Sequence, residues 1–357
     1  MPPTQPVYLP PPPPPRFYAP PSNALLVHTG LRRIGNYTAG ALLLFEMFGT
    51  VLMLIPGVIV GLRVFSGAEA EESTAEMFVI TFAINGLAAL IGQYLFMSSF
   101  MKTLGVRDEV GKAYEKPKNV WLLIAALPLG FGLCMLSDQL TSVVMWLSEN
   151  ILHFSLTSPD LAPQVYDAPT IAILVLQIAI SPALLEEFAF RGVMMQSLRR
   201  YGDKFAIVAT ALVFALFHGN VVQMLFAFPV GLVLGYFAVS TGSIWTSVLI
   251  HFANNLNSVL LLTYSANAGE AAYQSIATIE LIASLVLGVL ALVIYAVLPG
   301  KQKLAPRPEW VPKKGRMGSF LGSPAMVVLI ILMIFSTISS LFVPKLLEWA
   351  NLNFWNG

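Results

Sequence analysis

Four side chains between residues 186 and 255 have the types that hydrolytic chemistry needs: Glu186, His218, His251 and Asn255. A carboxylate can take a proton from water as a general base. Two imidazoles and a carboxylate can also hold a divalent metal with one position left open for water, lowering that water's pKa. A carboxamide can donate to an oxyanion as it develops. Glu187 and Arg191 stand four residues apart, so on a helix they can meet and neutralise each other. Glu186 then points about 100° away from Glu187 and is free to face a pocket. Nucleophilic catalysis is less well provided for. The one cysteine, Cys134, lies outside the cluster, and no GxSxG element occurs.

The elements that must position these groups are built for lipid. Of 357 residues, 56% are hydrophobic and 11% charged, against about a quarter charged in soluble domains. The net charge of +1 gives no case for nucleic acid. With one cysteine, an intrachain disulfide and a Cys cluster for metal are both excluded. Apolar stretches near the ~20 residues of a spanning helix fall at 38–62, 77–100, 120–147, 169–198, 205–218, 221–239, 244–264, 275–298 and 325–343. The expectation is an all-α polytopic membrane protein of about nine spans. Residues 1–36 are proline-rich and read as a disordered cytoplasmic arm rather than a signal peptide. Lys and Arg crowd 101–118, 199–204 and 299–324, whereas 148–168 and 265–274 have none. That alternation predicts a cytoplasmic N-terminus.

The turn at 199–204 sets a depth. Glu186 lies sixteen residues before Gly202 and His218 sixteen after it. At 1.5 Å per residue, both sit roughly 24 Å along neighbouring antiparallel helices. His251 and Asn255 share one face of the next span but one, and Asn254 lies on nearly the same face. Phe214, a turn before His218, reads as a packing wall. Asp138, Glu46 and Glu280 read as interhelical hydrogen bonders or cavity walls, and His28 and His153 as groups without a role.

Three motifs in order carry a resemblance. "EEFAFR" at 186–191 fits E-E-x-x-x-R, "FALFH" at 214–218 fits F-x-x-x-H, and "HFANN" at 251–255 fits H-x-x-x-N. Together they resemble the CAAX protease and bacteriocin-processing (CPBP, or Abi) family, which includes the eukaryotic Ras-converting CAAX prenyl endopeptidase. The resemblance covers about 165–265 and implies an intramembrane endopeptidase core there, between N-terminal spans in 37–150 and C-terminal spans with a basic loop in 275–357. It implies Glu186 as the main catalytic carboxylate, His218 and His251 as essential histidines, Asn255 completing the site, and Glu187 and Arg191 in support. The family is usually classed as metallopeptidases, so a divalent metal, zinc first, held by Glu186, His218 and His251 is expected. A metal-free glutamate mechanism is the alternative, since no HExxH occurs. The expected partners are the bilayer and a membrane-associated peptide or protein substrate, and the expected home is the inner (plasma) membrane. The competing reading is a non-enzymatic scaffold or transporter with a buried polar binding cluster. No internal repeat of the transporter kind is present to favour it.

Overall fold

The computed structural model describes residues 22–65, 84, 86, 90–156 and 167–350. Among these every regular element is helical. We number them α1 (Asn23–Phe65), α2 (90–104), α3 (Arg107–Ala113), α4 (Val120–Leu152), α5 (Ala168–Arg199), α6 (Asp203–Phe217), α7 (Val221–Thr241), α8 (Ile244–Ala268), α9 (Glu270–Val297), α10 (Arg316–Leu321) and α11 (Pro324–Ala350).

Among the described residues, five helices are long and apolar enough to cross a bilayer: Val120–Leu152, Ala168–Arg199, Val221–Thr241, Ala271–Val297 and Pro324–Phe342. A polytopic helical membrane protein is therefore borne out, but a count of nine is not. The stretch 38–62 lies inside α1, and 77–100 falls largely outside the described residues. The stretch 244–264 lies in α8, where His251, Asn254, Asn255 and Asn257 interrupt the apolar run. The stretch 205–218 lies in α6, of only 15 residues. That is about 22 Å, short of the ~30 Å hydrocarbon core. The turn after α6 is instead sheltered by protein: Ser336 of α11 donates to the Gly219 carbonyl at 3.3 Å. Irregular backbone at membrane depth is tolerated where it is buried in protein or lines a cavity.

The proline-rich arm is shorter than its composition predicts. Residues 23–36 are the first turns of α1, because Val27, Leu31 and Ile34 repeat at helical spacing and are buried. His28, read from sequence as idle, bonds Ser319 at 2.8 Å, and the Asn36 carboxamide accepts from the Ala325 amide at the start of α11. Residues 1–21 of the arm lie outside the described residues.

The basic connections gather at one end of the helices. Arg316 donates to the Tyr201 carbonyl and the Ala305 amide to Asp203, both at 2.8 Å. Arg200 donates to the Leu104 carbonyl, and the Gln302 amide to the Ser240 carbonyl. Gly202, with φ +110°, makes the sharp turn between α5 and α6 against the backbone of Arg307. Helix α9 runs along α4, and the two touch through Gly132 and Gly288, whose small size brings the backbones close.

Candidate active site

Helix α5 is not regular. It switches to π-helical spacing at Val175–Ile180 and again at Glu187–Met194, a feature common at functional sites. Between the two stands Pro182. Proline has no N–H to give the carbonyl four residues before it, which here is Ile178. The Asn255 side chain of α8 fills the gap: its Nδ2 donates to the Ile178 carbonyl at 2.8 Å. Its Oδ1 accepts from Asn254 Nδ2 at 3.1 Å. Asn255 is thus fixed through one amide hydrogen and keeps the other.

The Glu187–Arg191 pair forms as its spacing predicts. Arg191 Nη1 lies 2.7 Å from Glu187 Oε1, with both side chains fully buried. The guanidinium also donates to the Gly231 carbonyl of α7 at 3.3 Å and lies 4.3 Å from the centre of the Phe214 ring. An isolated charge so deep would be prohibitive, and the pair, the carbonyl and the ring face together offset that cost.

The same carboxylate oxygen takes a second donor. His251 Nδ1 lies 3.0 Å from Glu187 Oε1. A carboxylate held by a guanidinium only accepts, so Nδ1 carries the hydrogen, and in the neutral imidazole Nε2 keeps its lone pair. That Nε2 is 3.9 Å from Glu186 Oε2. The separation is beyond a direct hydrogen bond, yet a water beside them could reach both. Sequence spacing had assigned Glu187 only to Arg191. Its hold on His251 spans 64 positions and comes from how α8 crosses α5, which no local pattern reveals.

His218 sits not within a span but at the C-cap of α6. Its Nδ1 bonds the Phe214 carbonyl at 2.8 Å, which fixes the tautomer that leaves Nε2 free. Phe214 stands edge-on to both imidazoles, with ring centres 4.9 Å from His218 and 6.1 Å from His251. It is the wall expected of it, and it also carries Arg191.

Glu186, His218, His251, Asn254 and Asn255 line one cavity of about 250 Å³, together with Phe214, Phe226 and Pro182. The sequence-derived depth match between Glu186 and His218 thus corresponds to a shared cavity. The expected metal set is another matter. Among the described residues no three His, Cys, Asp or Glu side chains are placed to hold a metal. Glu186, His218 and His251 share the cavity wall without converging on a point.

Residues 168–257 match the family model of Rce1-like proteins, the type II CAAX prenyl endopeptidases. The matched stretch begins at the first residue of α5 and ends just past Asn255, so it contains all three motifs and every group of the cavity described above. The CPBP-type resemblance therefore holds for this core, while the flanking helices lie outside the match. No curated protein and no solved structure matches the chain.

Proposed function

We propose that the protein is an intramembrane endopeptidase that cleaves a membrane-associated peptide with water activated in the α5–α8 cavity. The observation that carries this is the chain Arg191–Glu187–His251 ending 3.9 Å from Glu186. It points one basic nitrogen and one carboxylate at the same small volume. Glu186 takes a proton from water held against His251 Nε2. The resulting hydroxide adds to the scissile carbonyl. The free amide hydrogen of Asn255 donates to the oxyanion. Collapse of the tetrahedral intermediate breaks the C–N bond, and the proton held on Glu186 passes to the leaving amine. His218, with Nε2 free, flanks the substrate. The family's prenylated C-a-a-X tail is one candidate substrate.

The basic ends of α2, α5 and α9 face the cytoplasm in this reading, the N-terminus with them, in a bacterial inner membrane. The test is cleavage of membrane-embedded reporter peptides by protein in vesicles, with elemental analysis of the same preparation. Cleavage without bound metal and without inhibition by chelators supports glutamate as base. About one equivalent of divalent ion, released by His218→Ala, would support a three-ligand metal site instead. A preparation that cuts no peptide, prenylated or plain, sinks the proposal.

A further inference from the structure

A second cavity of about 310 Å³ lies on the other side of Asn254. Its walls include Asp138, Asn257, Ser258, Ser265 and Tyr273, and it shares Asn254 and Phe226 with the catalytic cavity. It runs toward the end of α8 near Ala268, away from the basic connections that meet around Gly202 and Ser240. Nothing in the cleavage chemistry uses it.

Its polar groups are unusual for this depth. Asp138, on its wall, lies within the span of α4, and Glu280, which is not on the wall but bonds the lining Asn257, lies within α9. Asn257 hydrogen-bonds Glu280, and Asp138 is near enough to act on Glu280 electrostatically. Asn254 is 4% exposed, and its Oδ1 has no partner among the described residues; nor has Glu280 Oε1. Both atoms are acceptors. Leaving such an atom buried and unpaired is costly. A cavity this roomy and this polar holds water, whereas an apolar one stays dry. Ionisable groups within spans mark hydrated paths rather than lipid contacts.

We infer that this cavity is a water-filled antechamber, continuous past Asn254 with the catalytic cavity, through which hydrolytic water arrives from the end opposite the basic loops. The inference deepens the endopeptidase reading and rests on it for the use of the water, but not for its presence. A hydrolase in hydrocarbon needs such an inlet, because each turnover consumes one water. Ser258 Oγ donates to the Asn254 carbonyl at 3.3 Å, and Asn254 donates to Asn255, so a polar track leads to the proposed oxyanion donor.

The test uses the full chain in sealed vesicles, with Cys134→Ala to remove the native thiol and a charged, membrane-impermeant thiol reagent as probe. Ser258→Cys and Asn254→Cys report on the antechamber and its inner end. Leu260→Cys, 55% exposed on the outer surface of α8, reports on lipid. Thermal melting confirms that each variant folds, and Phe226→Cys, on a wall of both cavities, replaces Asn254→Cys if that variant does not. Both cavity cysteines should react at least ~10-fold faster than Leu260→Cys, because charged reagents enter water and not hydrocarbon. Ser265→Trp should slow both. Cavity cysteines that react no faster than Leu260→Cys overturn the inference. So does a Ser265→Trp block that protects position 258 and leaves 254 reactive, since the cavities would then not be continuous. In the cleavage assay Ser265→Trp should lower kcat with KM unchanged. Full kcat in a protein whose labelling is blocked would mean that hydrolytic water takes another route. A wild type that cuts nothing strikes at the endopeptidase reading alone, and the labelling result still decides the antechamber.

Discussion

At the residue scale the site is a relay of fixed hydrogen positions. Arg191 holds Glu187, Glu187 orients His251, and the Phe214 carbonyl orients His218. The two links to imidazoles assign their tautomers before any substrate arrives. Arg191→Ala is therefore expected to do two things. It leaves a buried carboxylate unpaired, which typically costs ~3–5 kcal/mol, so the thermal transition should fall. It also lets Glu187 take up a proton and release His251, so activity should fall beyond what the lower stability explains. Arg191→Lys keeps the charge but cannot serve Glu187, the Gly231 carbonyl and the Phe214 face together, and should fall between the two. Unchanged melting and full turnover in Arg191→Ala would show the relay to be irrelevant. The Glu187–Arg191 pair could be read directly from i, i+4 spacing. The Glu187–His251 contact could not, because it depends on the crossing of two helices far apart in sequence.

At the element scale the irregularity of α5 is what builds the site. Pro182 withholds an N–H from the Ile178 carbonyl, and Asn255 of α8 supplies the donor. Pro182→Ala returns a backbone donor to compete for that carbonyl. The melting temperature should hold or rise, because an interior proline is unfavourable in a helix. The rate should nevertheless fall, by up to the ~10²–10³ assigned to one oxyanion donor, since Asn255 would lose its anchor. A Pro182→Ala enzyme with wild-type kcat would show that Asn255 is positioned by other means. Nothing local to Pro182 in the sequence points to this link, because Asn255 lies 77 positions from Ile178. The two π-helical segments were not visible, because their side-chain pattern does not differ from that of an ordinary α-helix over so few residues. The shortness of α6 was visible in its apolar run, 205–218, and the structure ends that helix at Phe217, before the Gly219 turn with φ +59°.

At the scale of the whole molecule, charge patterning was the most legible signal. The segments rich in Lys and Arg at 101–118, 199–204 and 299–324 meet at one end, bonded to one another through Arg200, Asp203 and Arg316. Hydropathy marks nine apolar stretches, of which five correspond to helices long and apolar enough to cross a bilayer among the described residues. The arrangement predicts that Lys313→Cys and Ala268→Cys, each in a Cys134→Ala background, label from opposite faces of sealed vesicles. Labelling of both from one face would break the alternation on which the orientation rests.

The central claim is that Glu186 activates water in the cavity it shares with His218, His251 and Asn255. Its most direct test is Glu186→Gln, which keeps the side-chain shape and removes the base. Peptide binding and cleavage should be measured on the same vesicle preparation. The account predicts binding within a few-fold of wild type and cleavage reduced by at least ~10²–10⁴, the usual contribution of a general base. Cleavage by Glu186→Gln at the wild-type rate, with binding intact, would contradict it.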